Sequence, residues 1–339
     1  MTERPEMIVA FLERAGWSDA ARIPLAGDAS SRRYERLRRA DGQAVLMDAD
    51  PKTGETVTRF AEVARWLTGH GLSAPAIMAE DSGLGCLLLE DLGDAVFARL
   101  LEGAPEAENS LYSAAIDVLL ELSNCPPPPF LAPLDGPALG ALIEMTVDWY
   151  LPGMGGTVTA RAKRLPALVT REYDRLRFLS PVIALRDYHA ENLIWLPDRN
   201  GVARVGLLDF QDAVLADPAY DLVSLLLDAR RDVAPNTAAA MMARYVDRRG
   251  LDGTRFGAIA ALLGAQRSLR ILGIFARLCL RDGKTRYLGF MARVWGHLER
   301  SLRHPEMADL SEAVMTCLPP PTPERLQHMR EQCGRIPTP

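Results

Sequence analysis

Hydrophobic and polar positions follow one pattern in the first 92 residues and a different pattern in the rest of the chain. In the first part, short apolar runs predict strands over residues 22–25, 34–37, 44–48, 76–79 and 85–90. Helical spacing predicts a short helix over residues 5–15 and a longer one over residues 56–70, which Gly71 would end. Residues 1–92 are therefore predicted to form a small lobe of sheet plus one long helix.

From residue 93 onward the helical period dominates. It predicts helices over residues 96–101, 109–123, 136–150, 161–179 and 258–280. Four consecutive prolines at positions 126–129 predict a stiff extended connector, because proline cannot continue a helix. Residues 93–339 are therefore predicted to form a larger, mainly helical lobe, which makes the whole chain an α+β fold of two lobes.

Length and composition favour an enzyme over a nucleic-acid-binding or membrane protein. The chain has 339 residues, enough for two lobes, and 48% of them are hydrophobic. A net charge of −5 argues against nucleic-acid and membrane-surface partners. The most apolar predicted helix, 258–280, contains three arginines and is not expected to span a bilayer. Nothing in the sequence indicates an obligate protein partner.

The cysteines and the N-terminus bear on the compartment. The five cysteines are odd in number and dispersed, without the spacing of a zinc site: Cys86, Cys125, Cys279, Cys317 and Cys333. Such a set predicts reduced thiols and no disulfide framework. Charged residues interrupt the first fifteen positions, so no signal-peptide pattern is present. We therefore expect a cytoplasmic protein.

The candidate chemistry is concentrated after residue 186. Asp187 and Asn192 have the D-x-x-x-x-N spacing of a kinase catalytic loop. In such a loop the aspartate orients and deprotonates the attacking hydroxyl, and the asparagine holds a metal ion. For either residue alone, turn formation is the commoner explanation. The spacing gains weight from the segment that follows it.

That segment has the pattern of a β-hairpin. Apolar residues 193–196 are followed by a turn at 197–201, in which Asn-Gly is the strongest signal, and by a return strand over 202–210. Pairing of the two strands would bring Asn192 and Asp209 to the same end of the hairpin. Two oxygen ligands there would suit Mg²⁺, which also binds nucleotide phosphates.

These motifs resemble the aminoglycoside phosphotransferase family, a branch of the protein-kinase-like fold, over nearly the whole chain. The family motif H-G-D-x-x-x-x-N appears here as Leu185, Arg186, Asp187 and then Asn192, so that leucine replaces the histidine. The resemblance implies Asp187 as the catalytic base and Asn192 and Asp209 as metal ligands. Residues 217–222 match the segment D-P-x-x-D-L, whose aspartates either support the catalytic loop or cap a helix; both roles can coexist.

The family places the nucleotide in the first lobe. Residues 27–34 lie between two predicted strands, where a turn covers the phosphates, and Ser30 and Ser31 would add hydroxyl donors there. An ordinary polar hairpin loop would have a similar sequence. Residues 88–92 match the family hinge, which implies that backbone groups of Glu90 and Leu92 meet the adenine of ATP.

One position departs from the family. The third strand normally carries a cation that grips the phosphates and pairs with a helix glutamate, yet this strand has Met47 at that place. Glu62 matches the helix glutamate and would lack its usual partner. The charge could come instead from Arg32, Arg33 or Lys52, and the sequence does not choose among these three.

Three segments together resemble one subgroup of the family: residues 27–34, 45–49 and 266–277. This subgroup comprises bacterial anomeric kinases for N-acetylmuramic acid and N-acetylglucosamine in cell-wall recycling. The resemblance implies ATP and Mg²⁺ as cofactors, an amino sugar as acceptor and an α-1-phosphate as product.

N-acetylmuramate carries a carboxylate, which an arginine can bind in a bidentate manner. Arg267 and Arg270 lie on an apolar helix, and Arg267 is the better candidate of the two for this contact, although a salt bridge between helices would also explain it. Glu144, Asp148 and Trp149 could contact sugar hydroxyls and a sugar face, or form a solvated helix edge.

Two other hypotheses remain. One is a kinase of the same fold for an aminoglycoside or an amino alcohol. The other is a non-catalytic nucleotide-binding module, which the missing strand cation would favour and the complete set of Asp187, Asn192 and Asp209 disfavours.

Overall fold

A computed structural model describes residues 4–25, 32–54 and 56–336. The strands in these residues are β1 (Ala21–Leu25), β2 (Arg33–Arg39), β3 (Gly42–Asp48), β4 (Ile77–Asp81), β5 (Cys86–Glu90), β6 (Val182–Ala184), β7 (Leu193–Trp195), β8 (Val205–Leu207) and β9 (Val214–Ala216). All five strands predicted in the first 92 residues are confirmed, with small shifts of their ends.

Helices make up most of the remainder. They are α1 (Arg4–Arg14), α2 (Thr58–Gly69), α3 (Phe97–Gly103), α4 (Glu108–Asn124), α5 (Gly136–Ala141), α6 (Leu151–Gly153), α7 (Leu165–Leu176), α8 (Ala219–Leu226), α9 (Pro235–Arg249), α10 (Gly253–Leu280), α11 (Met291–Leu302), α12 (Ala308–Cys317) and α13 (Pro323–Glu331). The mixed composition confirms the predicted α+β class.

The chain divides into two compact units. The first comprises Met1–Glu121 and Ala190–Ala213, and the second comprises Leu122–His189 and Val214–Pro339. The first unit thus continues past residue 92, through α3 and most of α4, and includes the hairpin of β7 and β8. A lobe boundary at residue 92 stays a prediction.

The first unit is built on an antiparallel sheet with the order β1-β2-β3-β5-β4. Alternate residues of its central strands, including Leu37, Leu46 and Leu88, pack in one core with Phe11 of α1. Because side chains alternate between the faces of a strand, Val45 and Met47 point to the opposite face. Met47 is completely buried there.

The second unit is organised around α10. Most residues of this helix are buried, although its length and composition would also fit a membrane span. Of its most apolar window, 78% is buried inside the fold, as in a core helix. The short strands β6 and β9 pair antiparallel beside the helices.

The helix predicted over residues 136–150 is interrupted. It consists of α5 and a separate π-helical turn, Thr146–Tyr150, which leads into α6. Pro152 has no N–H, and its ring would clash with the carbonyl group four residues earlier, so a regular α-helix cannot continue through it. The π-helical turn packs on α10, where Thr146 Oγ1 donates a hydrogen bond to the Leu269 carbonyl at 2.6 Å.

Gly273 makes that close packing possible. A Cβ atom at this position would lie 2.6 Å from the backbone of both Met145 and Thr146. We expect Gly273→Ala to lower the free energy of unfolding by about 1–3 kcal/mol, because overpacking forces the backbone to shift. Gly296→Ala in α11 is the matched control, since a Cβ atom there meets nothing within 4 Å. It should stabilise the protein by about 0.5–1 kcal/mol; equal effects of both changes in urea unfolding would contradict the account.

The cysteine prediction is wrong for two of the five residues. Cys279 at the end of α10 forms a disulfide with Cys333, with the Cα atoms 5.0 Å apart, whereas Cys86, Cys125 and Cys317 are not disulfide-bonded. The C-terminal segment returns to α10, where the Gly334 N–H donates to the Cys279 carbonyl at 2.9 Å. The two cysteines are 54 residues apart, and sequence spacing alone does not reveal that their Cα atoms are close.

Candidate active site

The loop after β6 carries Asp187 and is fixed by a buried carboxylate. Arg186 has a φ of +71°, a left-handed conformation that is uncommon for residues other than glycine. Asp221, in the first turn of α8, accepts hydrogen bonds from the Leu185 N–H at 2.5 Å and the Arg186 N–H at 3.0 Å. These bonds hold the strained backbone that turns Asp187 out of the strand.

Arg267 of α10 holds the same loop from the other side. Its guanidinium donates to the Arg186 carbonyl at 2.9 Å and to Ser224 Oγ at 2.6 Å, and it lies 4.9 Å from the Tyr220 ring centroid. The Ser224 hydroxyl in turn donates to the Arg186 carbonyl at 3.1 Å. Arg267 is buried, and its described partners belong to the Asp187 loop and to α8.

The surroundings of Asp187 favour its charged form. Burial alone would raise the pKa of the carboxyl, but the positive charges of Arg267 and Arg270 outweigh this effect and hold the pKa below its usual range. Asp187 is therefore ionised at neutral pH, while the residue remains partly exposed. An ionised, accessible carboxylate can orient a hydroxyl group and accept its proton.

His189 is a second titratable group in the loop. It is buried, and Arg230 Nη1 donates to its Nε2 atom at 2.9 Å. Burial lowers the pKa of His189 to about 4. The imidazole is therefore neutral at pH 7, with its proton on Nδ1, and adds no positive charge to the loop.

Asp217 gives a stability prediction that depends on pH. Burial raises the pKa of its carboxyl to about 6, although the Ala219 N–H donates to it at 2.9 Å. Because the folded pKa lies above that of the unfolded chain, Asp217 stabilises the fold at low pH and loses this contribution as pH rises from about 4 to 6. Relative to Asp217→Asn, the wild type should lose on the order of 2 kcal/mol over that interval.

Urea unfolding at several pH values checks this expectation. Asp174→Asn, at an exposed position of α7, controls for the removal of one negative charge. A difference between wild type and Asp217→Asn that stays flat from pH 4 to pH 6 would contradict the raised pKa.

The hairpin of β7 and β8 positions the two candidate oxygen ligands in the first unit. Leu193 pairs with Leu207, and the Leu208 N–H donates to the Asn192 carbonyl at 3.0 Å. The prediction that Asn192 and Asp209 reach the same hairpin end is thus confirmed. Asp209 has a φ of +56°, and one of its carboxylate oxygens accepts a hydrogen bond from Gln211 at 2.7 Å.

The details of the hairpin differ from the prediction. The return strand covers three residues, not nine, and Asn200 is extended, so the two-residue Asn-Gly turn does not form. A 3₁₀ turn, Gly201–Arg204, precedes β8, and the loop of the hairpin is closed by a hydrogen bond from the Leu196 N–H to the Arg204 carbonyl at 2.8 Å. Beyond the strand, Phe210 is buried against Phe60 of α2, with ring centroids 4.7 Å apart, which fixes the chain after Asp209.

The donor chemistry at this hairpin end is suitable for a divalent cation. Asn192 and Asp209 offer an amide oxygen and an exposed carboxylate. Among residues 4–25, 32–54 and 56–336 no cluster of three or more His, Cys, Asp or Glu side chains could hold a metal ion by itself. Mg²⁺ is commonly held by one or two protein ligands together with substrate phosphates and water. These two residues could therefore hold Mg²⁺ only together with a nucleotide.

The predicted hinge follows β5. The Glu90 carboxylate pairs with Arg199 and accepts a hydrogen bond from the Ala76 N–H at 3.3 Å. Leu92 is buried, and within the described part of the chain its backbone N–H donates to no other group. The Leu92 amide thus has the donor capacity that a bound base requires.

A buried arginine beside the hinge was not identified from the sequence. Arg36 of β2 approaches Asp91 at 2.6 Å and Asp94 at 2.7 Å. These bonds, above all the one to Asp94, raise the pKa of Arg36 further. Strand β2 contains four arginines, and no local pattern distinguishes Arg36 from the other three. Its register with Val45 places it on the Met47 face of the sheet.

The register also separates the candidates for the missing cation. Tyr34 lies opposite Met47, whereas Arg33 lies opposite Asp48, whose carboxylate pairs with Arg4 of α1. Arg33 is therefore on the face away from Met47, and side-chain alternation favours Arg32 instead. Lys52 is exposed in a 3₁₀ turn. Ser30 and Ser31 lie outside the described residues.

Glu62 does not lack a partner, contrary to the expectation from the sequence. Its carboxylate lies 3.3 Å from the guanidinium of Arg59 on the same helix, and both side chains are exposed. The partner of Glu62 thus lies on its own helix. Glu62 is therefore not evidence for a vacant partner position near Met47.

The proposed acceptor residues differ in exposure. Glu144 and Asp148 are exposed, whereas Trp149 is buried and presents little surface to a sugar. All three lie on or next to the π-helical turn that packs on α10. The structure therefore brings Asn192 together with Asp209, and Asp187 together with Arg267. Asp187 and Asn192 lie five positions apart in the chain, on the two sides of the unit boundary.

Comparison with known proteins identifies the class. The model of the phosphotransferase enzyme family matches residues 22–256, so the chain belongs to this family. Solved structures with the same fold include a choline/ethanolamine kinase family protein from Mesorhizobium loti (TM-score 0.59, 16% identity, 97% of this chain and 100% of that chain). Another is an aminoglycoside phosphotransferase from Streptomyces rimosus in complex with ADP and streptomycin (TM-score 0.53, 18% identity, 80% and 97%). The fold is thus protein-kinase-like, as predicted.

Curated relatives are more similar in sequence. An N-acetylmuramate/N-acetylglucosamine kinase from Caulobacter vibrioides is 41% identical, covering 91% of this chain and 95% of that protein. A kinase of the same name from Pseudomonas aeruginosa is 35% identical, covering 91% and 92%. The resemblance inferred from the sequence motifs is confirmed, and the protein is a phosphotransferase.

Proposed function

We propose that this protein is an ATP-dependent kinase that phosphorylates the anomeric hydroxyl of N-acetylmuramate and N-acetylglucosamine, giving α-1-phosphates for cell-wall recycling. The observation that carries the substrate class is the 41% identity to a kinase of that name over 91% of the chain. The ionised carboxylate of Asp187 in a fixed loop supports the phosphoryl-transfer chemistry.

Asp187 is the proposed base. Its carboxylate accepts a hydrogen bond from the sugar hydroxyl, aligns the oxygen with the γ-phosphorus of ATP and takes the proton as the new P–O bond forms. ADP leaves as the bond to its β-phosphate oxygen breaks, so that the products are sugar phosphate, ADP and a proton. Because the transition state is loose, alignment and charge neutralisation supply most of the rate gain.

Asn192 and Asp209 are the proposed ligands of Mg²⁺, which neutralises charge on the nucleotide phosphates when bound. Adenine is proposed to meet the Leu92 N–H and the Glu90 carbonyl. The Arg36 ion pairs with Asp91 and Asp94 would keep the start of this hinge rigid. Arg32 is the proposed phosphate cation, and Ser30, Ser31 and Arg33 retain only their sequence-based assignment to the phosphate turn.

For the acceptor, Glu144 and Asp148 stay candidates for sugar hydroxyls because both carboxylates are exposed. Trp149 is a weaker candidate, since it is buried. Arg267 is proposed to act as a positioning residue for the Asp187 loop, because its guanidinium is occupied by Arg186 and Ser224.

ADP release with a panel of acceptors tests the proposal. N-acetylmuramate and N-acetylglucosamine should be turned over, whereas choline and aminoglycosides, the substrates expected of other kinases with this fold, should not. Strong turnover of an aminoglycoside or of choline with none of the amino sugars would overturn the proposed substrate. ATP binding without transfer to any acceptor would favour a non-catalytic module.

A further inference from the structure

A row of basic residues follows the face of α10 that leads away from Asp187. The partly exposed positions in this stretch of an otherwise buried helix are Arg270, Ile271, Ile274 and Arg277, and three of them, Arg270, Ile274 and Arg277, form the row. Their spacing of four and three residues places them on one face. Arg277 is seven residues beyond Arg270, which corresponds to about 10 Å along the helix axis.

Arg270 is the member of this row nearest the proposed base. It makes a single long hydrogen bond, 3.3 Å to the Tyr220 hydroxyl, and its charge helps to lower the pKa of Asp187. No carboxylate in the described part of the chain forms an ion pair with it.

Arg277 has no partner at all among the described residues: it makes neither an ion pair nor a hydrogen bond, and its Nε atom is buried. Burial, with the nearby charges of Arg281 and Arg270, lowers the pKa of Arg277. The one carboxylate that counteracts this effect, Asp282, is held in bidentate contact by Arg281 at 2.6 and 3.0 Å. Glu144 and Asp148, on the segment that packs against α10, pair with neither Arg270 nor Arg277.

Partly buried cations without a counter-ion are costly, because desolvation is not offset by pairing. Elsewhere in this protein the buried Arg36 pairs with Asp91, and the partly exposed Arg293 pairs with Asp232. The buried Arg267 instead donates two short hydrogen bonds, of 2.9 and 2.6 Å, to a carbonyl and a hydroxyl group.

Arg270 and Arg277 lack a carboxylate partner in the described part of the chain, and Arg270 lies next to the proposed base. Such an arrangement is expected where a bound anionic ligand neutralises the positive charge.

Resting on the proposed function, we infer that Arg277, with Arg270 between it and Asp187, recognises the lactyl carboxylate of N-acetylmuramate and so determines the preference for this sugar over N-acetylglucosamine. The two sugars differ by this acidic group, which lies on another ring carbon than the anomeric hydroxyl. Asp187 and the row of arginines can therefore contact different ends of one acceptor molecule. A guanidinium is suited to bind a carboxylate through two parallel hydrogen bonds.

The ratio of kcat/KM for N-acetylmuramate to kcat/KM for N-acetylglucosamine is the decisive quantity. Arg277→Met should lower this ratio about 10- to 100-fold, the effect of losing one charge-assisted contact. Arg277→Lys should restore part of it. Arg293→Met is the control, because Arg293 is likewise partly exposed and is already paired with Asp232 at 2.7 Å; it should leave the ratio unchanged.

A neutral derivative of the acceptor tests the role of the carboxylate from the substrate side. For the wild type, kcat/KM should be lower for the amide of N-acetylmuramate than for the acid. For Arg277→Met, kcat/KM should be the same for the amide and the acid. Equal loss for both sugars in Arg277→Met, or equal use of acid and amide by the wild type, would overturn the inference. A wild type that phosphorylates neither sugar would instead refute the proposed function, so the two failures are distinguishable.

Discussion

Replacement of Asp187 by Asn should lower kcat about 10²- to 10⁴-fold, the usual contribution of a positioned general base. The amide keeps the size of the side chain and its contact with a hydroxyl group, but it cannot accept the proton. Because the loop is held by Asp221 and Arg267 through the backbone of residues 185 and 186, the fold should be retained. Single-turnover kinetics with ATP and the amino sugar measure the effect on the chemical step.

Two controls separate catalysis from structure. Nucleotide affinity, measured by titration calorimetry, should be unchanged in Asp187→Asn, since the proposed hinge lies in the other compact unit. Asp174→Asn, an exposed change on α7, should leave the rate as it is. A rate for Asp187→Asn within a few-fold of the wild type would remove Asp187 from the role of base.

Asp209→Ala should reduce turnover on the order of 10³-fold, because a bound metal ion contributes several kcal/mol to the transition state and each 1.4 kcal/mol is about tenfold in rate. Asp209 is the one carboxylate in the proposed pair of ligands at the hairpin end. Asn192→Ala removes a neutral proposed ligand, so it should reduce turnover less than Asp209→Ala does. It should also raise the Mg²⁺ concentration needed for the half-maximal rate.

The matched control is Asp198→Ala, an exposed aspartate in the loop of the same hairpin. It should keep both the rate and the Mg²⁺ requirement. Full activity after chelation of divalent cations by EDTA would refute the metal assignment, and an equal loss in Asp198→Ala would show that only the hairpin was damaged.

Local patterns were sufficient for much of the first unit and for part of the site. The alternation of apolar residues located the five strands, and the apolar runs on both sides of a turn placed Asn192 and Asp209 at one hairpin end. Both inferences depend on neighbours in the sequence, where side-chain period and loop length decide the pairing. The spacing of Asp187 and Asn192 is likewise a local signal.

Features that depend on contacts between residues far apart in the sequence could not be predicted from local patterns. The Cys279–Cys333 disulfide depends on the return of the C-terminal segment to α10. The hydrogen bond from Arg267 to the Arg186 carbonyl joins residues that are 81 positions apart in the chain. Arg36 differs from its neighbours in β2 only through Asp91 and Asp94, which are 55 and 58 positions away. Where many arginines are present, only the three-dimensional partners distinguish one from another.

Phosphorus NMR of the product formed from ATP, Mg²⁺ and N-acetylmuramate tests the central proposal most directly. The account predicts a new phosphomonoester signal coupled to the anomeric proton of the sugar in the α configuration, formed in step with ADP. It also predicts no such signal when the anomeric hydroxyl is replaced by a methyl glycoside. A phosphate on any other sugar oxygen, or product formation from the methyl glycoside, would contradict it.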